Sequence, residues 1–280
     1  MPELPEVETI RRGLEPLIVN KVFTRPVLLF PGSIRYPEPD RFCEQLEGRR
    51  IIALKRHGKY LLLELNCGLL AVHLRMTGRL VYLEKGGPPS GHLRVVLPFQ
   101  DGSLLYFSDM RKFGGLWLLD NKEDLSPAGM HRLGPDIYEQ VTEEEFLELL
   151  QKRPRSRLKP LLLDQFFVAG LGNIYVDESL HRCRLHPCRE AGSLSREEGK
   201  ALFRAIREVL EEGIRCGGTT SRDYRDARGE KGTFQEQLAV YGRKGSPCRC
   251  GTAIERIVVA GRGTYYCPRC QAEKRGDGRQ

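Results

Sequence analysis

The chain has 280 residues, a formal net charge of +8 and 40% hydrophobic residues, which supplies apolar side chains for more than one domain core. No apolar run approaches the ~18 residues of a membrane span, and the acidic, amphipathic N-terminus does not resemble a signal peptide. Nine cysteines, an odd number, favour free thiols and a metal site in a reducing cytoplasm over a disulfide framework.

The first predicted element is an amphipathic helix of about four turns. Its apolar face is formed by Val7, Ile10, Leu14 and Leu17. Pro5 suits the first turn, because the N–H that proline lacks would have no partner there. Three glutamates at the helix start also suit the positive end of the helix dipole, namely Glu3, Glu6 and Glu8.

Pro2 has two interpretations that the residues alone leave open. Removal of Met1 ahead of a small second residue would expose a secondary amine, with an unperturbed pKa of roughly 8 against roughly 10.4 for lysine. Such an amine can attack a sugar C1′ or an aldehyde and form a Schiff base, with Glu3 moving protons. The alternative is an ordinary processed end followed by a well-capped helix.

Short strands are predicted between residues 20 and 120, because apolar runs there alternate with polar positions and are separated by Gly, Pro, Asn or Asp. They span residues 50–56, 60–65, 69–75, 79–83, 93–99, 104–109 and 115–119. This number of short strands is typical of a β-sandwich or a barrel.

Helical patterns begin beyond residue 126. Thr142 with Glu145, and Ser195 with Glu198, are capping boxes that precede apolar-periodic runs. We therefore predict a domain boundary between residues 125 and 140.

The turn at residues 170–173 joins two apolar helices and presents backbone N–H groups at a helix start, an arrangement that can hold a phosphate. The basic run at residues 152–157 adds positive charge beside it. A simple turn and a solvated linker are the alternatives for these two segments.

Four cysteines near the C-terminus resemble a Cys₄ zinc ribbon: Cys248, Cys250, Cys267 and Cys270. The first pair is Cys-x-Cys, one residue shorter than the usual knuckle. Residues 241–280 hold nine Lys or Arg against three Asp or Glu, so most of the net charge lies there and indicates a polyanionic partner such as nucleic acid. Arg262 is expected at the tip of a hairpin, either entering a DNA groove or as a solvated turn residue.

A second group of possible metal ligands precedes these cysteines, at His181, Cys183, His186 and Cys188. No other sequence feature supports metal binding there. We therefore interpret these four side chains as structural or incidental.

Six motifs in order along the chain resemble those of bacterial formamidopyrimidine-DNA glycosylases. They lie at residues 2–6, 57–60, 109–114, 170–175, 240–243 and 261–264. Only about the last ten residues fall outside the similarity. Leu4 resembles this branch, whereas the related oxidised-pyrimidine branch typically has Gly there.

The resemblance implies catalytic roles for four residues. Pro2 would attack C1′ of the damaged nucleotide, and Glu3 would act as acid and base with support from Glu6. Lys59 would donate the proton linked to β-elimination and contact a phosphate. Arg262 would assist δ-elimination and contact the phosphates around the lesion.

The resemblance also implies contacts to DNA. Met76, Arg111 and Phe113 match side chains that fill the space of an extruded base, which offsets part of the cost of flipping it. Residues 217–233 match a mobile loop that closes over that base. His73 is family-like too, although a buried, hydrogen-bonded histidine fits it equally well. DNA-binding roles are implied for His92, Arg111, Arg155 and Asn173. Of these, His92, Arg155 and Asn173 match contacts to the DNA backbone.

We therefore predict an α+β multidomain fold. It comprises a two-layer β-sandwich with flanking helices over residues 1–135, a helix-two-turn-helix domain over 136–240, a zinc ribbon over 241–273 and a tail over 274–280. The tail has no assigned role and is expected to be disordered.

The predicted function is excision of 8-oxoguanine and formamidopyrimidines from duplex DNA, followed by β,δ-elimination, by a cytoplasmic bacterial monomer that carries one Zn²⁺ and works at the nucleoid. An oxidised-pyrimidine glycosylase and a non-catalytic damaged-DNA-binding protein are the alternatives. The short cysteine pair is expected to weaken zinc binding and misplace Arg262. The affinity for DNA and the rate of δ-elimination would then fall more than the rate of base release.

Overall fold

The computed structural model describes residues 1–87, 91–220 and 224–273. Within these ranges the chain forms two compact units, the first from Met1–Leu133 with Gly213–Gln235 and the second from Gly134–Glu212 with Glu236–Gln280. None of the helices in the described ranges has the length and apolarity needed to cross a membrane. The tail from residue 274 onward lies outside the described residues.

Two sheets form the first unit, as expected for a sandwich. One has five strands in the order β2-β9-β5-β4-β3, and the other has four in the order β1-β7-β8-β6. All neighbours are antiparallel except β2 and β9, which are parallel. The strands are β1 (Val27–Leu28), β2 (Ile34–Tyr36), β3 (Ile51–His57), β4 (Tyr60–Leu65), β5 (Leu69–His73), β6 (Gly78–Leu83), β7 (Leu93–Pro98), β8 (Leu104–Asp109) and β9 (Gly115–Leu119).

Helix α1 (Leu4–Ile18) contributes its apolar face to the core of this unit. Val7, Ile10 and Leu14 are buried there with side chains from both sheets, including Leu63 and Phe107. Leu17 packs partly against the same core, as the predicted helical face requires. Because the N-terminal helix is fixed by this packing, its first residues are held against the sandwich.

Three short elements of the first unit were not predicted. They are β1, β2 and helix α2 (Pro39–Leu46). Two- and three-residue strands are too short to show alternation, and the surrounding prolines favour a loop. The extended conformation of β1 and β2 therefore depends on tertiary pairing, of β1 with β7 and of β2 with β9.

The second unit contains α3 (Glu143–Gln151), α4 (Leu158–Leu163), α5 (Asn173–Arg182), most of α6 (Arg196–Arg215), and the hairpin of β10 (Glu255–Val259) and β11 (Arg262–Tyr266). Both predicted capping boxes form. In α3 the N–H of Glu145 donates to Thr142 Oγ1 at 3.3 Å, and the N–H of Thr142 donates to Glu145 Oε2 at 2.8 Å. Ser195 and Glu198 exchange the equivalent bonds at α6.

The compact units divide the chain differently from the predicted segments. Gly213–Gln235 groups with the N-terminal residues, whereas we predicted a helical domain over 136–240. Ala227 is part of the sandwich core, and its carbonyl accepts a hydrogen bond from the N–H of Tyr82 in β6 at 3.0 Å. These long-range contacts explain the grouping.

Candidate active site and zinc site

The first residues of the chain form an ordered, acidic helix start. Pro2 and Glu3 are both buried. Glu3 is the N-cap of α1, and its N–H donates to Glu6 Oε2 at 2.7 Å, which completes a capping box. This hydrogen bond fixes the backbone next to Pro2, so the N-terminal amine would have a defined position after Met1 is removed.

Glu6 also holds the loop that follows α6. Its Oε1 accepts the N–H of Thr219 at 2.7 Å, and its carbonyl accepts the hydroxyl of buried Tyr224 at 3.3 Å. Gly218 has φ +84°, and a Cβ there would lie 2.9 Å from Glu6 Cγ, so glycine is required. Part of the predicted base-covering loop, residues 221–223, lies outside the described residues.

A buried ion-pair network connects α1 with the turn that carries Lys59. Glu8 Oε2 lies 3.3 Å from Arg56 Nε, and both side chains are buried. Arg56 also donates to the carbonyl of Gly58 at 3.1 Å. Burial raises the pKa of Glu8, but hydrogen bonds from Arg11 and other arginines outweigh it, and the net effect lowers that pKa. We did not predict this network, because neither residue has a distinctive local pattern.

Lys59 occupies the two-residue turn between β3 and β4. Gly58, the first turn residue, has φ +57°, a conformation that glycine adopts readily. Lys59 itself is buried rather than solvated. The sequence alone favoured an ordinary turn lysine, so this burial is a finding of the tertiary structure.

His73 is buried on β5 near this turn. Its Nδ1 accepts the N–H of Arg75 at 3.0 Å, and the Tyr60 ring meets it edge-on with the ring centroids 4.5 Å apart. Burial, followed by the positive charges of Arg75 and Lys59, lowers the pKa of His73 well below its usual range. The histidine is therefore neutral at physiological pH.

We expect the neutral state of His73 to make the protein acid-sensitive. In the unfolded chain the His73 side chain takes up a proton below a pH of about 6.5, whereas in the folded protein it stays neutral. Protonation therefore stabilises the unfolded state, and the stability that is present above that pH is lost as pH falls. His73 alone should lower the free energy of unfolding by up to about 1.4 kcal/mol per pH unit below pH 6.5. Urea unfolding at several pH values measures it.

The matched control for that experiment is the exposed His131. His73→Gln should reduce the slope between pH 6.5 and 5 by the share of one proton, because burial also lowers the pKa of His181 and of His186, whereas His131→Gln should retain the full slope. Equal slopes in wild type and His73→Gln would show that another group causes the loss.

The residues predicted to replace a flipped base lie at the protein surface. Met76 is 42% exposed and Phe113 is 50% exposed, so neither belongs to the core. The Arg111 guanidinium carbon lies 4.8 Å from the centroid of the Phe113 ring. Exposed apolar side chains beside a stacked cation are suited to contact with unstacked bases.

Buried Asp109 at the end of β8 holds this surface together. Its Oδ1 accepts the N–H of Arg111 at 3.1 Å and the hydroxyl of Thr77, and its Oδ2 accepts the N–H of Gly114 at 2.8 Å. The N–H of Asp109 donates to the carbonyl of exposed His92 at 2.9 Å. We did not assign Asp109 a role, although an aspartate preceding a glycine-containing turn is a recognisable turn signal.

In the second unit, the predicted phosphate-holding turn precedes α5. Gly170 has φ +114°, and its N–H donates to Gln165 Oε1 at 3.1 Å. Gln165 Nε2 donates to the carbonyl of Leu171 at 2.9 Å, so one amide side chain fixes the turn. Helix α5 then begins at Asn173, and Arg155 in the preceding basic run is exposed.

A buried ion pair braces the β10–β11 hairpin that carries exposed Arg262. Lys159 Nζ lies 2.6 Å from Asp177 Oδ1 and donates to the carbonyl of Gly263 at 3.2 Å. The other Asp177 oxygen accepts the N–H of Tyr265 at 2.9 Å. Asn173 Nδ2 also donates to the carbonyl of Gly263, at 2.9 Å.

We expect Lys159→Met to cost about 3–5 kcal/mol of unfolding free energy, because it leaves the Asp177 carboxylate buried without its cation. Asp177→Asn should cost a similar amount for the converse reason. The double variant should cost less than the sum of the two single variants, because no lone charge remains. Urea unfolding of all four proteins tests this, and additive effects would contradict it.

The four C-terminal cysteines converge. Their sulfur atoms all lie within 4.8 Å of one another, and within the described residues no other group of three or more His, Cys, Asp or Glu converges in this way. The separations are 3.9 Å for Cys248–Cys270 and 3.5 Å for Cys250–Cys267. Tetrahedral zinc with Zn–S bonds of ~2.3 Å requires sulfur separations of ~3.8 Å. The thiol set therefore fits zinc despite the shortened first pair.

The second group of histidines and cysteines does not converge. Cys183 Sγ donates to the carbonyl of Ser179 at 3.1 Å, and His186 Nδ1 accepts the N–H of Cys188 at 3.2 Å. His181 differs, because its Nε2 lies 3.4 Å from Cys248 Sγ.

Comparison with known proteins finds three family domains in the predicted order along the chain. The formamidopyrimidine-DNA glycosylase N-terminal domain matches residues 1–116, the H2TH domain of the same enzymes matches 133–225, and a zinc finger found in FPG and IleRS matches 245–272. Together with the converging thiols, the last match confirms the predicted structural zinc site. The first two matches agree with the predicted sandwich and helical domain.

Full-length relatives extend this similarity. The chain is 48% identical to the formamidopyrimidine-DNA glycosylase of Pelotomaculum thermopropionicum, over 98% of this chain and 100% of that relative. It is 50% identical to the enzyme of the same name from Heliobacterium modesticaldum, over 97% of this chain and 100% of that relative. Lactococcus lactis Fpg in complex with abasic-site DNA superposes with a TM-score of 0.88 at 38% identity, covering 97% of this chain and 100% of that one. The chain belongs to the formamidopyrimidine-DNA glycosylase family.

Proposed function

We propose that this protein is a bifunctional DNA glycosylase and AP lyase of base excision repair, acting on 8-oxoguanine and formamidopyrimidines in duplex DNA. The observation that carries the proposal is the N-terminus. Pro2 lies buried beside a capped, acidic helix start, in a chain that matches these glycosylases from end to end. Solved relatives contain abasic-site DNA and carbocyclic 8-oxo-G DNA, which supports the same class of substrate here.

In the proposed first step the Pro2 amine attacks C1′ of the damaged nucleotide. A C1′–N bond to proline forms, the bond from C1′ to the base breaks, and the departing base takes up a proton. Glu3 is the acid and base for this step, because its position at the N-cap places a carboxyl group next to the amine. Ring opening then produces a cationic Schiff base between Pro2 and C1′.

The Schiff base acidifies the neighbouring C2′ proton, and loss of this proton to solvent expels the 3′ phosphate by β-elimination. Loss of a second proton, from C4′, then expels the 5′ phosphate by δ-elimination. We assign Lys59 to the first elimination, where a buried ammonium can donate a proton and contact a phosphate. Arg262 is assigned to the second, from its exposed position at the start of β11. Glu6 supports Pro2 by fixing the backbone of Glu3.

Base extrusion is assigned to Met76, Arg111 and Phe113, whose exposed side chains can fill the vacated space in the duplex. We assign contacts to the DNA backbone to His92, Arg155 and Asn173, and Arg111 binds DNA through its role in base extrusion. We place the enzyme in the bacterial cytoplasm, as a monomer that works on the nucleoid.

The test uses three duplexes that contain 8-oxoguanine, thymine glycol or only normal bases. We expect strand cleavage at 8-oxoguanine to exceed cleavage at thymine glycol by at least about tenfold in kcat/KM, a difference of about 1.4 kcal/mol. Preference for thymine glycol would support the oxidised-pyrimidine alternative. Binding of damaged DNA without cleavage would identify a non-catalytic protein, and the 48% identity to a named glycosylase argues against that outcome.

A further inference from the structure

The shortened cysteine pair changes which groups donate hydrogen bonds to the zinc-binding sulfurs. A zinc ion with four thiolates carries net negative charge, and N–H donors to sulfur stabilise that charge. In the regular second pair the N–H of Cys270 donates to Cys267 Sγ at 3.4 Å. In this bond the amide donor belongs to the third residue after Cys267, and the acceptor is the Cys267 sulfur.

The corresponding amide of the first pair is directed elsewhere. The third residue after Cys248 is Gly251, and its N–H donates to the Cys248 carbonyl oxygen at 2.8 Å instead of to the sulfur. Cys250 follows Cys248 by two residues, whereas Cys270 follows Cys267 by three. The loop between the first two cysteines is therefore one residue shorter than the loop of the second pair. The sulfur of Cys248 therefore lacks the donor that the regular knuckle supplies.

A side chain of α5 reaches that sulfur. His181 Nε2 lies 3.4 Å from Cys248 Sγ, within hydrogen-bond range for sulfur. A zinc-bound cysteine is a thiolate without a proton, so any hydrogen bond between the two must have the imidazole as donor. This requirement selects the tautomer with the proton on Nε2.

We propose that His181 donates its Nε2–H to the Cys248 thiolate and replaces the backbone donor that the Cys-x-Cys pair cannot offer. His181 is a positioning residue, not a ligand, because the four converging sulfurs already supply the four ligands that a structural zinc ion takes. The histidine thereby compensates for the missing residue between the first two cysteines. The inference concerns the zinc site alone and does not depend on the proposed glycosylase activity.

Competition for zinc with a chromophoric chelator tests this role in the full-length protein. His181→Phe should lower zinc affinity roughly 10- to 100-fold, the usual cost of losing an outer hydrogen-bond partner. His181→Gln, which retains an N–H donor, should stay within about threefold of wild type. The exposed His131→Phe is the control for a histidine-to-phenylalanine change elsewhere and should leave affinity unchanged.

A variant with a regular first cysteine pair distinguishes the hydrogen bond of His181 from its packing. Insertion of one alanine between Arg249 and Cys250 restores Cys-x-x-Cys, and there His181→Phe should cost less than about threefold, since a backbone amide again serves Cys248. An equal loss in both backgrounds, or an unchanged affinity in His181→Phe, would overturn the proposal.

Nitrogen NMR of the zinc-loaded wild type provides a readout that needs no variant. We expect the imidazole of His181 to be neutral, with its proton on Nε2. A proton on Nδ1 alone, or direct bonding of Nε2 to the metal, would exclude the proposed donor.

Discussion

A protein that retains a tag ahead of Pro2 should lose borohydride trapping on abasic or 8-oxoguanine DNA. The tag converts the secondary amine into a tertiary amide, which has no lone pair available to attack C1′. Removal of a covalent nucleophile typically costs ~10³-fold or more in rate, so we expect both excision and trapping to fall at least that far. The measurement is the yield of covalent protein–DNA complex after reduction, together with single-turnover cleavage.

Two comparisons distinguish loss of chemistry from loss of structure. The same protein after proteolytic release of the tag at Pro2 should recover trapping, because the chain is otherwise identical. Pro2→Gly replaces the secondary amine of the proline ring with an unconstrained primary amine, and we expect its trapping to be abolished as well. Trapping by the tagged protein at a rate near that of the free N-terminus would identify a different amine as the nucleophile.

Loss of a zinc ligand should affect DNA binding far more than Schiff-base chemistry. Cys267 is fully buried among the four sulfurs, and Cys267→Ser should reduce bound zinc from about one ion per chain to nearly none. Structural zinc contributes ~10–16 kcal/mol in small zinc-binding domains, whereas an isolated two-stranded hairpin is marginal in water. The β10–β11 hairpin should then loosen, because only its hydrogen bonds to Lys159, Asp177 and Asn173 remain, and Arg262 at the start of β11 should lose its fixed position.

We expect DNA affinity of Cys267→Ser to fall at least about tenfold and the products to shift from δ- to β-elimination, because phosphate contacts supply much of the binding free energy. Trapping at saturating DNA should persist, since Pro2 belongs to the first unit. The exposed Cys67→Ser is the matched control and should change none of these quantities. Unchanged DNA affinity in zinc-free protein would refute this role for the hairpin.

Much of the fold follows from local patterns. Seven strands of the sandwich were predicted within two residues at each end, because alternation of apolar and polar side chains is a property of neighbouring residues. The capping boxes at Thr142 and Ser195 were predictable for the same reason, since their partners lie three residues away. The converging cysteines also follow from spacing, although the short pair left their geometry open.

The residues that hold the site in place could not be found in this way. Glu6 and Thr219 are 213 positions apart, and Lys159 is 104 positions from Gly263. Nothing in the residues around them records such contacts, because only the packed chain brings them within hydrogen-bond distance. The sequence by itself determined the types of the longer elements, the thiol set and the family motifs. The tertiary structure decided which carboxylates and cations are buried together, because desolvation makes charged groups pair with partners from distant parts of the chain.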